Sequence, residues 1–295
     1  MSKNRFILLF VTVVMISLSC SSASLKGTKP VRKKIYPHHP LRGRIIALNA
    51  GHNPALTKES LKNGDGVGAY SSIGINKMFY TNNPIAIQSG PHKGVIRESD
   101  LTQSVVLLVK KDLEKLGASV VLTRIGPCAD SAAARLVNLK NRAAKANKAG
   151  ADLLLDIHGN CGYKTFSGYM LLIPCPERKG AFFRYRRLHK ATGSCVTNRR
   201  FNKSLYFARL IHRQLLLLRG NNQRAIPPYR NPPFYVSTFK VIGYSLMPAT
   251  LLELGFMSHR KDMDLLAGMN YRKRVAGALV KAIVQFLNRD NGKQL

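Results

Sequence analysis

The alternation of short apolar runs with helical patterns is the feature that most constrains the fold of this chain. Residues 44–49, 153–157 and 249–252 are mostly apolar, as suits interior strands covered on both faces, and residues 119–123 are strand-like. Helical periodicity fills the intervals at 101–116, 135–148, 205–218 and 275–286. Strands that alternate with helices predict an α/β fold with an open, mostly parallel, twisted sheet flanked by helices on both faces. The first helix would have Ser99 as its N-cap and Gly117 as its stop.

Residues able to bind a metal fall at the ends of these runs. His52, His158 and Glu253 follow three of the predicted strands, and Glu98 precedes the first long helix. Ligands of open α/β sheets bind beyond the carboxyl ends of the strands, so these side chains should meet. Two histidines and a carboxylate are the ligand set of a catalytic zinc (Zn2+) that keeps a fourth position open for water. Glu253 could serve as the general base, and the set predicts a zinc hydrolase.

Four motifs in order make the chain resemble the zinc-dependent N-acetylmuramoyl-L-alanine amidases of the Amidase_3 family. They are Ala-Gly-His at 50–52, Glu98 at a helix start, Ile-His-Gly-Asn at 157–160 and Leu-Glu-Leu-Gly-Phe-Met-Ser at 252–258. The resemblance covers one catalytic domain, residues 44–288, followed by a short tail at 289–295. It implies hydrolysis of the amide between the lactyl group of N-acetylmuramic acid and L-alanine of the peptidoglycan stem peptide. It also implies that His52, Glu98 and His158 bind zinc and that Glu253 is catalytic.

The chain departs from the family's pattern at three places near the histidines, one of which is Asn53-Pro54, where the family usually has glycine. The family usually has aspartate where Asn49 stands and serine where Asp156 stands. A carboxylate that orients a metal-bound histidine is worth about 10 to 100-fold in metal affinity or activity. Asn49 and Asp156 are therefore candidate outer partners of the ligands. Alternation along a strand should point Asp156 and His158 to the same face.

The same residues leave three functions open. The first is an amidase that releases stem peptides during cell separation or wall remodelling. The second is a zinc peptidase that acts within the stem peptide, because the chemistry is the same and only the pocket differs. The third is a non-catalytic, basic wall-binding protein, although the presence of Glu253 and all three ligands argues against it. Whether an activator protein of the divisome is required also stays open.

The amino terminus predicts export. Lys3 and Arg5 precede an apolar run at 6–18, and small residues follow, so residues 1–23 are interpreted as a signal peptide cleaved near Ala23. Lipid attachment at Cys20 is the alternative, but Ser17 stands where lipoprotein signals usually carry leucine. We expect a periplasmic or cell-envelope protein, with or without a lipid anchor.

A large positive charge favours anionic partners. The chain has 47 Lys and Arg against 14 Asp and Glu, a formal net charge of +33, which attracts polyanions. Residues 24–43 are interpreted as a basic, proline-containing tether that lies against an anionic envelope surface. Residues 178–203 interleave basic and aromatic side chains, as nucleic-acid clamps do. Export and the metal motifs nevertheless make nucleic acid the weaker assignment.

Two extended loops are predicted, at 53–94 and 174–203. Export permits disulfides, and the four cysteines that follow the signal allow three connectivities. The preferred pair is Cys175 with Cys195, which would close the second loop.

Overall fold

Strands and helices alternate along the part of the chain that the computed structural model describes: residues 39–52, 85–87, 94–96, 98–124, 132–160, 165–177, 186–187, 195–219 and 234–290. The strands in these residues are β1 (Ile45–Ala50), β2 (Ile85–Ile87), β3 (Gly94–Ile96), β4 (Ser119–Leu122), β5 (Leu153–Asn160), β6 (Met170–Pro174), β7 (Arg186–Arg187), β8 (Phe234–Ser237) and β9 (Ala249–Phe256). The helices are α1 (Glu98–Lys115), α2 (Ala132–Lys148), α3 (Asn198–Arg219), α4 (Lys240–Tyr244), α5 (Arg260–Ala267) and α6 (Met269–Asp290).

Strand β1 lies where the chain changes direction across the sheet. Within the described residues the main sheet has seven strands in the order β4-β1-β5-β9-β6-β8-β7. From β1 the chain passes through α1 to β4 on one side and then through α2 to β5 on the other, and both strands are parallel to β1. A reversal of this kind opens a crevice at the carboxyl ends of the strands. The crevice lies beyond β1 and β5, beside β9.

One pairing in the main sheet is antiparallel. Strand β9 is parallel to β5, β6 runs antiparallel to β9, and β8 and β7 continue parallel to β6. The predicted open, mostly parallel sheet is therefore confirmed. Strands β2 and β3 form a separate antiparallel pair, so the predicted loop at 53–94 contains strand residues at its end.

Helices cover both faces of the sheet, as predicted. On one face α1, α3 and α6 bury an apolar layer that includes Leu101, Phe207 and Phe286. On the other face α2 and α4 contribute a smaller layer that includes Ala146 and Ile242. A fully buried Leu or Phe contributes about 1.5–3 kcal/mol, whereas an exposed helical ion pair contributes only about 0.3–0.5 kcal/mol. Apolar burial therefore holds the layers together. Among the described helices, none is long and apolar enough to cross a membrane.

All four helices predicted from the sequence begin earlier in the structure, at residues 98, 132, 198 and 269. Helix α3 starts at Asn198 rather than at residue 205, because the Thr197 hydroxyl accepts a hydrogen bond from the backbone N–H of Arg200 (3.3 Å) and so caps the first turn. The predicted loop at 174–203 is correspondingly shorter. Helix α1 starts at Glu98, which places Ser99 inside the first turn rather than at the N-cap. Its predicted stop is confirmed, since Gly117 has a φ of 87°, the left-handed conformation typical of a helix end.

Residues 39–43, assigned by sequence to the tether, belong to the domain. The Leu41 side chain is fully buried in the core. Its backbone N–H donates to the Leu116 carbonyl at 3.0 Å, just after α1. The domain therefore begins before the boundary predicted at residue 44.

Candidate metal centre

Three of the predicted residues meet, because both histidines approach the same carboxylate oxygen of Glu98. Nε2 of His52 lies 3.1 Å from Oε1 of Glu98, and Nδ1 of His158 lies 3.2 Å from the same oxygen. The two imidazole rings meet edge to face, with centroids 5.1 Å apart. One ligand atom from each residue lies within 4.8 Å of the other two. The structure thus brings His52, Glu98 and His158 together although they are distant in sequence.

The donor set fits a zinc ion. Two imidazole nitrogens and a carboxylate oxygen are common zinc ligands, with bonds of about 2.0–2.2 Å. Tetrahedral bonds of that length separate neighbouring ligand atoms by about 3.3–3.5 Å. The observed separations from Glu98 are close to this range. Small adjustments of the side chains would complete a three-residue site.

Two glycines allow the three side chains to approach. A Cβ atom on Gly51 would lie 2.4 Å from Nδ1 of His158, closer than real contacts allow. A Cβ atom on Gly159 would lie 2.8 Å from Sδ of Met257 and 3.3 Å from Cγ of Glu98. Gly159 also donates its backbone N–H to Oε1 of Glu98 at 2.9 Å. The register of β5 against β9 shifts at this point, as bulges beside active sites often do.

The strands extend further than predicted around the site. His158 lies within β5 and Glu253 lies within β9, where they are register partners. His52 instead lies two residues beyond β1, with a φ of 56°. This left-handed conformation is uncommon for a residue other than glycine and costs of the order of 1–3 kcal/mol unless its surroundings impose it.

Buried side chains from three elements hold the backbone around His52. Arg124, after β4, donates from Nε to the Ala50 carbonyl at 3.0 Å. Arg142, in α2, donates to the Ala50 carbonyl at 3.3 Å and to the His52 carbonyl at 3.2 Å. Thr102, in α1, donates its hydroxyl to the Gly51 carbonyl at 3.2 Å. The sequence analysis missed these residues. Arg142 could have been found, because it lies on the same helical stripe as the buried Ala143 and Ala146.

Asn49 and Asp156 form the polar layer beneath the histidines. They are register partners on β1 and β5, and the Asn49 amide donates to Oδ1 of Asp156. The same carboxylate oxygen lies 3.3 Å from Nε2 of His158, so Asp156 and His158 do share a face. Oδ1 of Asn49 accepts from the Thr123 hydroxyl at 2.7 Å and from Arg142 at 3.4 Å. Asp156 therefore faces one ring nitrogen of His158 while the other faces Glu98.

The electrostatics favour an ionised Glu98. Burial would raise the pKa of Glu98, but the charges and hydrogen bonds of His52 and His158 outweigh burial and hold this pKa well below its usual range. Burial would lower the pKa of His158, but Asp156 above all, with Glu98 and Glu253, raises it well above the usual value. A metal ion would replace the proton that His158 holds in this pocket.

Glu253 lies in a different environment from Glu98. Burial raises its pKa to about 8, with further contributions from the charges of Glu98 and Asp156, while the charge of His158 opposes the shift. Its Oε2 is buried and has no hydrogen-bond partner among the described residues. Two neighbouring carboxyl groups with pKa values pushed apart are typical of sites with distinct acid and base roles.

The predicted disulfide between Cys175 and Cys195 is wrong, because no bond joins their sulfur atoms in the structure. Their backbones are close, since the Val196 N–H donates to the Cys175 carbonyl. The Cys175 thiol, however, is buried and points to the Pro176 carbonyl at 3.6 Å, whereas Cys195 is exposed. Side chains that point apart cannot be bridged without movement of the backbone. The predicted signal peptide, Cys20 and most of the tether lie outside the described residues.

Comparison with known proteins identifies the family and the fold. Residues 46–285 match the Amidase_3 family, described as N-acetylmuramoyl-L-alanine amidase. The fold is similar to that of the N-acetylmuramyl-L-alanine amidase Ami1 from Mycobacterium smegmatis, with a TM-score of 0.57 and 21% identity over 84% of this chain and 99% of that one. It is also similar to the CwlD amidase from Clostridioides difficile, solved in complex with the GerS lipoprotein, with a TM-score of 0.55 and 19% identity over 84% of this chain and 100% of that one.

A curated relative is the uncharacterized protein YqiI of Bacillus subtilis (strain 168). It is 27% identical over 192 residues, which are 65% of this chain and 75% of that protein. The family match covers most of the chain and includes His52, Glu98, His158 and Glu253. The chain therefore belongs to the Amidase_3 family of N-acetylmuramoyl-L-alanine amidases, enzymes that act on peptidoglycan.

Proposed function

We propose that this protein is a zinc-dependent amidase that cleaves the bond between the lactyl group of N-acetylmuramic acid and L-alanine of the stem peptide. The observation that carries the proposal is the convergence of His52, His158 and Glu98 beside Glu253, whose Oε2 is buried. His52, Glu98 and His158 would hold the ion. A zinc ion so bound would activate a water molecule and polarise the scissile carbonyl.

Glu253 is the residue best suited to move protons. Its pKa of about 8 lies close to neutral pH, so both of its protonation states are accessible, as general acid–base catalysis requires. The unpartnered Oε2 is available to accept the proton of the attacking water. The same group can then deliver that proton to the alanine nitrogen, which is a poor leaving group until it is protonated.

Asp156 is proposed to orient His158. Its contact with Nε2 leaves Nδ1 directed at Glu98, and carboxylates paired with metal-bound histidines commonly fix the tautomer in this way. Asn49 holds the carboxylate in place through its amide group.

Digestion of purified peptidoglycan tests the reaction. The mature protein should release intact stem peptides, identified by mass, and leave unsubstituted glycan. The activity should be lost with a chelator, return with Zn2+, and be lost in Glu253→Gln, which keeps the shape of the side chain. Shortened peptides still attached to muramic acid would instead indicate a zinc peptidase. Zinc binding without any product, in the presence of extracts of the envelope, would favour a non-catalytic wall-binding role.

The cellular setting is a further part of the proposal. The predicted signal peptide, with or without lipidation at Cys20, would place the enzyme in the periplasm or cell envelope, where a basic segment would contact anionic surfaces. There we propose a role in cell separation or wall remodelling. The CwlD neighbour, solved with a lipoprotein, makes a protein activator reasonable to test. Deletion of the gene should give chains of unseparated cells if the enzyme acts in separation.

A further inference from the structure

We propose that Arg124 and Arg142 are positioning residues that fix His52 as a metal ligand by binding the backbone carbonyls around it. The proposal rests on the zinc site proposed above and extends it to two residues that do not touch the ion. Both guanidinium groups are buried, with 4% and 5% of their residue surface exposed. Buried arginines are rare unless they are paired, and the groups that these two bind therefore indicate their role.

Three consecutive carbonyls, that of the last residue of β1 and those of the two residues after it, accept hydrogen bonds from buried side chains. The Ala50 carbonyl accepts from both arginines, and the Gly51 carbonyl accepts from Thr102. The His52 carbonyl accepts from Nη2 of Arg142. Within the described residues β1 ends at Ala50, so no strand ladder among them fixes His52. Side chains thus supply the hydrogen bonds that a neighbouring strand supplies elsewhere.

The conformation of His52 makes this support necessary. Its φ of 56° is a conformation that the chain leaves readily unless the surrounding structure imposes it. Arg142 binds the carbonyls on both sides of Gly51, two residues apart, with the two ends of one planar guanidinium group. A rigid fork that spans this turn fixes its shape. The orientation of the His52 ring depends on that shape.

Arg124 links this turn to the residue next to Glu98. While its Nε binds the Ala50 carbonyl, its Nη2 lies 3.5 Å from the carbonyl of Ser99. One guanidinium group thereby joins the segment that carries His52 to the first turn of α1, which carries Glu98. This connection helps to set the 3.1 Å separation between His52 and Glu98.

Charge and geometry make opposite predictions for these arginines. Like charges repel, so a guanidinium group close to a divalent cation weakens metal binding by electrostatics alone. Removal of that charge should then strengthen binding. If the arginines act by positioning His52, their removal should weaken binding in spite of the lost repulsion. The sign of the change distinguishes the two effects.

The test compares arginine variants in the full-length mature protein. Arg142→Lys keeps the charge but loses the fork, Arg142→Gln loses both, and Arg124→Lys tests the second arginine. Arg272→Lys is the matched control, because Arg272 also binds backbone carbonyls, those of Leu266 and Ala267, but none next to a ligand. Zn2+ affinity is measured by competition with a chromophoric chelator, the visible spectrum of the Co2+ form reports ligand geometry, and thermal unfolding reports stability.

We expect Arg142→Lys, Arg142→Gln and Arg124→Lys to weaken Zn2+ binding by about 10-fold or more and to change the Co2+ spectrum. Arg272→Lys should lower the melting temperature without either change. The proposal is overturned if Arg142→Lys binds Zn2+ within about twofold of the unsubstituted protein, or if Arg142→Gln binds it more tightly. Absence of Zn2+ binding by the unsubstituted protein would overturn the proposed function as well, so the two failures are distinguishable.

Discussion

The two histidines that meet at Glu98 are held in different ways. His158 lies inside β5, where the sheet fixes its backbone and Asp156 needs only to orient its ring. His52 lies beyond β1 in a left-handed conformation, and side chains from three elements bind the carbonyls around it. A ligand within a strand therefore needs only one side chain to orient its ring. A ligand after a strand also needs side chains that bind the backbone carbonyls of its turn. Sites on regular elements are in general held more accurately than sites on loops.

The largest effect is expected from the carboxylate that both histidines share. Glu98→Gln removes the negative charge that Nε2 of His52 and Nδ1 of His158 face. The loss of a ligand should reduce Zn2+ affinity by more than the roughly 10 to 100-fold typical of an outer partner. Equilibrium dialysis against Zn2+ measures this loss. Glu114→Gln, an exposed residue on the same helix that pairs with Lys110, is the control. Stoichiometric, tight binding by Glu98→Gln would mean that the histidines do not depend on a common carboxylate.

Gly51→Ala should disturb both the turn that carries His52 and the position of the His158 ring. The added methyl group would overlap the His158 ring, which must move away from Glu98. Crowding of this kind typically costs about 1–3 kcal/mol in the free energy of unfolding, and Zn2+ binding should weaken as well. Gly277→Ala in α6 is the matched control, because a Cβ atom there meets no neighbour. It should stabilise the protein by up to about 1 kcal/mol. Equal urea midpoints for the two variants would contradict the close packing of Gly51 on His158.

Asp156→Asn should affect the orientation of His158 but not the turn that carries His52. The substitution retains the size of the side chain but removes the charge next to Nε2, and Zn2+ affinity should fall by about 10 to 100-fold. A double-mutant cycle with Arg142→Lys tests whether the support of His158 by Asp156 and the support of His52 by Arg142 are independent. Additive losses in Zn2+ binding free energy would mean that Asp156 and Arg142 act separately. Strong coupling would show that Asn49, which contacts both Asp156 and Arg142, joins them into one network.

Much of the arrangement could be predicted because it depends on local patterns. The apolar runs predicted β1, β5 and β9, and parallel strands bring their carboxyl ends to one edge, so the placement of His52, His158 and Glu253 at that edge followed from the fold class. Helical periodicity predicted α1 and α6, although both helices begin before the predicted residues 101 and 275 and α6 continues beyond residue 286. These features require no knowledge of distant contacts.

The supporting residues depend on contacts that local patterns do not reveal. Arg142 binds atoms of residues 49, 50 and 52, which lie 90 to 93 positions earlier in the chain, and its place on the buried stripe of α2 does not show what it binds. The antiparallel position of β6 beside β9 likewise depends on pairing between distant segments. The disulfide prediction failed because the sequence places Cys175 and Cys195 at the two ends of a loop but does not show that one is buried and the other exposed.

The pH dependence of stability should arise from Glu253 and His158, and its effect per pH unit is the smallest. Glu253 is the register partner of His158, and burial raises its pKa from 4.5 to about 8. Between these values the folded state holds a proton that the unfolded state has released, so the free energy of unfolding should decrease as pH rises from about 4.5 to about 8.

Each pH unit within that window is worth at most about 1.4 kcal/mol for one proton. The raised pKa of His158 acts in the same direction above the pKa of the unfolded residue, whereas the lowered pKa of Glu98 acts only at more acidic pH. Urea unfolding of the chelator-treated protein from pH 5 to pH 8, conditions that bracket this window, measures the slope. Glu253→Gln should flatten it without abolishing it, because His158 still titrates. An unchanged slope would mean that Glu253 is already ionised in the fold, and its role as proton carrier would then have to depend on the bound metal rather than on burial.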